Sequence, residues 1–187
     1  MESSGRIANA VELVPADRDD MPEFTDRFQD YLAELARFNG ARPNRHGRYE
    51  YQGFKLYWQD TTRQPYFIRV DGRRAGLVLL RELSRGIEAR EGPSIQLAEF
   101  YVFPLYRRLG VARAAVRLAA GIAERNGLPL TWSAYMNNPP AVALYQAVLR
   151  EFSELDRPWT VERRRGIGMS GLARYYYKMT PPDVLPT

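Results

Sequence analysis

Apolar and polar positions along the chain change period several times, and each change marks an element. Ala10-Val11-Glu12-Leu13-Val14 alternates weakly and reads as a first strand, ended by Pro15 and Asp17. Between positions 19 and 38, Phe24, Phe28, Tyr31, Leu32, Leu35 and Phe38 recur at helical spacing and share one face. Asn39-Gly40 stops that helix. Residues 41–53 are polar, rich in arginine and glycine, and read as a loop that holds His46; residues 54–58 form a short aromatic helix. A hairpin follows, with strands over 65–70 and 75–80 and Asp71-Gly72 as its turn signal. Residues 84–94 are charged and glycine-bearing and read as a mobile connection, with its role as a lid left open. Residues 95–102 form a central strand. Residues 110–126 form a helix with Val111, Ala115, Leu118 and Ile122 as its stripe, closed by Gly127, and 128–135 form another strand. Asn138 caps a helix with Pro139 at its first position, where the missing N–H costs nothing. Its stripe is Ala141, Leu144, Tyr145, Val148 and Phe152. A last strand runs over 173–178, and Pro181, Pro182 and Pro186 mark a loose end. The order is strand, helix, hairpin, strand, helix, strand, helix, strand, which predicts an α/β layer with a mixed sheet.

A length of 187 residues fits one domain with a sizeable core, 1–187, with loose termini over 1–8 and 181–187. With 45% hydrophobic and 26% charged residues the chain has the composition of a folded globular domain. No apolar run approaches the roughly 18 residues of a membrane span, and the first residues lack the basic-then-apolar pattern of a secretory signal. The absence of cysteine excludes disulfides, thiolate catalysis and cysteine metal sites. The single histidine excludes a multi-histidine metal site, so no metal is expected. The expected location is cytoplasmic. Basic residues exceed acidic ones by five, and only Lys55 and Lys178 are lysines. Arginine forks suit phosphate oxygens, although a GC-rich genome gives the same bias. The clusters Arg73-Arg74, Arg107-Arg108 and Arg163-Arg164-Arg165 are interspersed with acids, so no nucleic-acid partner is expected.

The sharpest local signal is Val102-Phe103-Pro104-Leu105-Tyr106-Arg107-Arg108-Leu109-Gly110-Val111-Ala112. A strand leads through a tight basic turn into a helix whose first N–H groups and positive dipole end suit a diphosphate. Gly110 and Ala112 are small enough to let phosphate oxygens approach, and Arg107, Arg108 and Arg113 add charge at the rim. The segment is neither a Walker loop nor a GxGxxG dinucleotide loop. It resembles the acetyl-CoA loop of the GNAT acyltransferases, Q/R-x-x-G-x-G/A after a strand ending in V-x-P. Arg107, Gly110 and Ala112 match its three positions, and Val102 and Pro104 match the lead-in. Asn138-Pro139-Pro140-Ala141-Val142-Ala143-Leu144-Tyr145 resembles that family's N-x-x-A-x-x-L/F-Y segment. Glu99-Phe100-Tyr101-Val102, the helix through Phe28, Tyr31 and Phe38, and the 65–72 hairpin are similar to uncharacterised bacterial GNAT proteins, so the resemblance covers most of 10–180. Two features depart from it. Gln146-Ala147-Val148 stands where many members have a G-F pair after the tyrosine, and the subgroup often has tryptophan where Tyr145 stands.

The resemblance implies a GNAT-type mixed, mostly antiparallel sheet with a central splayed strand pair, flanked by helices. It implies acetyl transfer from acetyl-CoA to an amine by direct attack, with no covalent enzyme intermediate. Backbone groups at Tyr101 and Val102 would pair with the pantetheine arm. Arg107, Arg108, Leu109, Gly110, Val111, Ala112 and Arg113 would cradle the diphosphate, with Asn138 first a helix cap and second a CoA contact. Tyr145 stands at the family's general-acid position, against the alternative of packing on its own stripe. Reference values make proton donation from a tyrosine to a thiolate uphill by about 2 kcal/mol, so a strong hydrogen bond to sulfur is expected. Glu99 is the candidate base: alternation puts it on the face of Ile95 and Leu97, where desolvation would raise its pKa. Its alternative is a structural carboxylate paired with Arg69 or Arg81. Tyr49, Tyr51 and Tyr57, with Tyr31 and Trp58, come from the region that shapes the acceptor pocket in the family. Tyr31, Trp58 and Trp132 are the candidate acceptor contacts, with core filling the competing reading, strongest for Trp132. The expected partner is a small-molecule primary amine, with the chain a monomer or homodimer. The alternatives are a peptide or protein amine, and an acyl-CoA-binding module without turnover.

Overall fold

The computed structural model describes residues 10–84 and 92–184. The chain forms β1 (Val11–Pro15), α1 (Met21–Asn39), a 3-10 helix (Phe54–Trp58), β2 (Arg63–Val70), β3 (Arg73–Leu83) and β4 (Ser94–Val102). A 3-10 turn (Pro104–Tyr106) then leads to α2 (Val111–Arg125), β5 (Leu130–Tyr135), α3 (Pro139–Ser153), β6 (Thr160–Ile167) and β7 (Ala173–Thr180). The helical periodicity is realised: α1 buries Phe24, Phe28 and Leu32, and ends at Gly40, whose left-handed backbone (φ 70°) lets its N–H reach the Ala36 carbonyl. Asp71 (φ 49°) and Gly72 (φ 77°) make the β2–β3 connection a left-handed two-residue turn, as the Asp-Gly pair predicts.

The sheet runs β1-β2-β3-β4-β5-β7-β6. Every neighbouring pair is antiparallel except β4–β5, which is parallel and registers only at Ile95–Leu130 and Gln96–Thr131. Beyond those two pairs the strands diverge, so from Leu97 onward β4 keeps its β3 partner and has none in β5. Alternation sorts the core onto two faces. Tyr66, Ile68, Val78 and Leu80 pack with Val116, Ala119 and Ala120 of α2 and with Val148 of α3. Phe67, Leu77, Leu79 and Tyr101 pack with Phe24, Phe28 and Leu32 of α1.

One difference from the sequence reading has a physical cause. The strand β6 was not expected, because Thr160-Val161-Glu162-Arg163-Arg164-Arg165 carries no buried face. Its stability comes from its neighbour: Arg163 and Arg165 lie over the Tyr175 ring at 4.9 and 5.7 Å, and Arg164 over Tyr176 at 5.2 Å. Charged side chains also suit an edge strand by blocking further pairing. Residues 181–184 form a turn in which Val184 donates to the Pro181 carbonyl at 3.1 Å, Pro181 is buried, and Arg157 bridges to Asp183. The remaining expectations for termini and connection, at 1–8, 185–187 and 85–91, lie outside the described residues.

One glycine in the sheet is fixed by close approach. A Cβ on Gly76 would lie 2.3 Å from the Tyr101 carbonyl oxygen and 3.1 Å from the Val102 Cα, both backbone atoms that cannot rotate away. Gly76→Val is therefore expected to destabilise the fold by about 3 kcal/mol or more, read as a shifted denaturant midpoint. A shift under about 0.5 kcal/mol would show that β3 and β4 separate without cost.

Candidate active site

The site is made by two irregularities in β4. The first is the divergence from β5. The second is a register slip against β3: Leu79 faces Glu99 but Leu80 faces Leu97, so Ala98 is an extra residue. Ile95 and Leu97 point to the α2–α3 face, whereas Ala98 and Tyr101 belong to the α1 face. The bulge thereby turns Glu99 off the face of Ile95 and Leu97, where uninterrupted alternation would leave it. There the Tyr31 hydroxyl of α1 donates to Glu99 Oε2, and the Tyr51 phenol hydrogen bonds to the same carboxylate.

A cavity of about 570 Å³ opens where β4 and β5 part. Its walls come from α1 (Tyr31, Leu35), the 41–51 segment (Tyr49, Tyr51), β4 (Leu97 to Phe100), β5 (Ser133 to Tyr135), α3 (Ala141, Tyr145) and Arg174 of β7. Glu99 lies deep within the molecule and keeps partial access to water through this cavity. Burial raises its pKa, and the hydrogen bonds from Tyr31 and Tyr51 with the fields of Arg174 and Arg81 only partly offset that. Its hydrogen-bond partners are the phenols of Tyr31 and Tyr51, while Arg81 donates to Gln96 and adds its field to that of Arg174. Folding thus favours the protonated acid. Glu99 contributes stability that is full below its ordinary value near 4.5 and is lost as pH rises through its raised value. Glu99→Gln cannot lose it, so the melting temperature of the variant minus that of the native chain is expected to increase with pH across that window. A difference that stays flat would mean Glu99 titrates as an ordinary surface acid.

Tyr145 of α3 also lines the cavity, 7% exposed, its ring 5.4 Å from Trp132 and 5.5 Å from Tyr177. Burial first, then the Glu99 charge and Tyr177, push its pKa well above the ordinary tyrosine value, so it carries its proton at every physiological pH. Trp132 is 2% exposed and stacks on Tyr177 behind Tyr145, so it supports the site from the core and does not line it. Trp58 is also placed elsewhere: it packs on Phe24 and Phe54 and donates to the Asp17 carbonyl at 2.8 Å. Tyr31 is the one of the three candidate acceptor contacts that reaches the cavity. His46 is an exposed loop residue whose ring accepts from Arg45.

At the other end of β4 the turn into α2 has the form the sequence predicts. Gly110 is left-handed (φ 81°) with nothing within 4 Å of where its Cβ would be. The first bond of the helix runs from Ala114 N–H to the Gly110 carbonyl, so the amides of Val111, Ala112 and Arg113 have no helical acceptor. Arg108 also adopts a positive φ (62°), and Arg108 and Leu109 stand exposed on the loop. Arg107 is not a free rim charge: its Nε donates to the Val102 carbonyl at 2.9 Å and its Nη2 grips both oxygens of Glu34 at 3.0 and 2.9 Å. Tyr101 donates to the same Glu34 at 2.6 Å, which ties the loop to α1. Arg113 lies 3.7 Å from Glu151 of α3. Asn138 accepts from Ala141 N–H at 3.3 Å, the predicted cap, and also lines the cavity. This cradle of free amides, together with the unpaired β4 edge beside it, fits a ligand with a diphosphate at one end and an amide-bearing arm at the other.

Sequence reasoning missed Glu34, Ser133, Tyr135 and Arg174. Tyr135 and Arg174 are 39 positions apart and meet only through the β5–β7 register, which pairs them. Nothing local marked either. Among the described residues no group of three or more acidic or histidine side chains could hold a metal, and no helix is long and apolar enough to cross a membrane.

Known proteins of this fold agree with the architecture. The chain superposes on yncA of Salmonella typhimurium, solved with its cofactor acetyl-CoA, with a TM-score of 0.61 at 15% identity over 96% of this chain and 98% of that one. A spermidine N-acetyltransferase SpeG variant from Vibrio cholerae matches with a TM-score of 0.57 at 14% identity, over 91% and 95% of the two chains. A ribosomal-protein-alanine N-acetyltransferase from Brucella melitensis matches with a TM-score of 0.55 at 22% identity, over 75% and 91%. No curated protein matches the sequence. The family model described as acetyltransferase (GNAT) family matches residues 22–149, from α1 through β4 and the turn into α2 to the helix that carries Tyr145, and on that match the chain belongs to the GNAT acetyltransferases.

Proposed function

We propose that this acetyltransferase moves an acetyl group from acetyl-CoA to the primary amine of a small molecule, in the cytoplasm, by direct attack. One observation carries the reading: a raised-pKa carboxylate and a protonated phenol line one cavity, where a central strand lacks a partner. Bound acetyl-CoA supplies an activated thioester. The amides of Val111, Ala112 and Arg113 hold its diphosphate, and the unpaired edge of β4 at Tyr101 and Val102 orients its arm. Glu99, directly or through one water, accepts the proton the amine loses as the N–C bond forms, and its raised pKa makes it a better base than a surface carboxylate. Tyr145 hydrogen bonds to the departing sulfur as the C–S bond breaks and can deliver its proton there, later regaining one from solvent. A cavity of about 570 Å³ is in the range of small-molecule sites, and the SpeG neighbour is named for such an amine, spermidine. The Brucella neighbour is named for a protein amine, so peptides belong in the test.

The test is release of CoA thiol across a panel of amines, amino acids, aminoglycosides, polyamines and peptides. Small amines are expected to turn over and peptides not to; turnover confined to peptides would overturn the acceptor class. A base must be ionised to act, so kcat/KM is expected to fall toward low pH with a midpoint above the ordinary carboxylate range. Glu99→Gln should remove that limb and lower kcat about 100-fold. A limb that persists in the variant would take Glu99 out of the mechanism.

A further inference from the structure

The cavity carries a second fixed charge that the chemistry above does not use. Arg174 leaves β7 opposite Tyr135, and its guanidinium lies over the Tyr135 ring at 4.0 Å. Its Nη1 donates to Ser133 Oγ at 3.0 Å and its Nη2 to the Tyr135 hydroxyl. Room for it is made by Gly168, where a Cβ would come within 3.0 Å of Arg174 Nε and 3.1 Å of its Cδ. The Nε itself is buried without a partner. Ring, hydroxyls and glycine hold the fork in one place at the cavity wall.

Two other arginines beside α1 have carboxylate partners. Arg74 bridges to Asp20 and Glu23, and Arg107 to Glu34. Arg174 differs: among the described residues no carboxylate lies within 4.0 Å of it, and both of its acceptors are neutral hydroxyls. A partly buried guanidinium with only neutral partners is under-compensated, and an anion completes it. Two of its five N–H groups are used by the hydroxyls and one is buried, which leaves one on each Nη to donate to an anion. Glu99 is close enough to feel the Arg174 field but is not bonded to it, so the cavity presents an acid and a fixed cation as separate stations. Arg42 and Glu50 also line the cavity, are exposed, and are opposite in charge, so they do not set its sign.

We propose that the acceptor is a small primary amine that also bears a carboxylate, an amino acid or a close relative, and that Arg174 binds that carboxylate while the amine faces Glu99. The inference rests on the acetyl-transfer reading for the role of the amine end. It does not need turnover to be tested, because it predicts binding. Arg174 is here a specificity-determining residue.

The experiment is calorimetry of the full chain, with and without CoA, against the twenty amino acids and the amines that lack their carboxylates. At least one amino acid is expected to bind about 30-fold more tightly than its decarboxylated counterpart, the value of one charge-assisted contact. Arg174→Gln should reduce that ratio to about threefold or less, and Arg174→Lys, which keeps the charge and loses the fork, should fall between. No amino acid preferred over its decarboxylated amine would overturn the proposal from the native chain alone, whatever the variants do. A preference that survives in Arg174→Gln, or an equal loss of acetyl-CoA affinity in that variant, would overturn it as well. Failure of acetyl-CoA to bind the native chain would instead count against the proposed function, since amino-acid binding is scored separately.

Discussion

Replacing Tyr145 with phenylalanine is expected to lower kcat about 100-fold while the affinity for acetyl-CoA stays within about twofold. The ring contacts with Trp132 and Tyr177 are kept, so the packing of α3 on β5 and β7 is unchanged and the melting temperature should move by only a few degrees. What is removed is one hydroxyl on the cavity wall, held protonated by burial and by the charge of Glu99. Its loss leaves the departing thiolate without a donor, a term felt in the transition state and not on binding, which is why kcat moves and affinity does not. The same raised pKa predicts a kcat that stays flat toward alkaline pH in the native chain until above the ordinary tyrosine value. The measurement is a steady-state comparison of thiol release with a melting curve for each chain. An unchanged kcat would make Tyr145 a packing residue of the Trp132 cluster.

Ala112→Asp is the second large effect, and it separates stability from binding. Ala112 sits in the first turn of α2, where an acid is favourable to the helix dipole and can accept from the unpaired amides. The isolated chain should therefore melt at the same temperature or slightly higher. The same carboxylate occupies the amides that hold the diphosphate and repels its charge. Affinity for acetyl-CoA is expected to fall about 100-fold, and to recover partly at high salt as the repulsion is screened. Calorimetry beside a melting curve reads both. Loss of affinity with loss of fold would say nothing for the cradle; unchanged affinity with an intact fold would place the diphosphate elsewhere.

The residues that sequence alone made legible are those whose signal is local. Phe24, Phe28 and Leu32 repeat at helical spacing and are buried; Asp71-Gly72 makes the turn its composition dictates; Gly110 takes the left-handed φ that opens the α2 turn. The site was legible in its ends, Tyr145 and the cradle, and partly misread in its middle. Glu99 was placed on the wrong face because one inserted residue, Ala98, reverses the alternation of β4, and nothing in Ser94-Ile95-Gln96-Leu97-Ala98-Glu99 announces a bulge. The strand β6 was invisible because its partner tyrosines, not its own residues, supply the apolar surface. Arg107 is in the family's position yet spends its guanidinium on Glu34, an ion pair that spans 73 positions. Ser133, Tyr135 and Arg174 meet only through strand register, which is a property of the sheet and not of any segment.

A crystal of the full chain grown with acetyl-CoA tests the central claim most directly. The diphosphate is expected within hydrogen-bond distance of the amides of Val111, Ala112 and Arg113, with the pantetheine arm along the unpaired edge of β4 and the thioester between Glu99 and Tyr145. Density for the coenzyme on any other surface, with that turn and that cavity holding only water, would contradict the account.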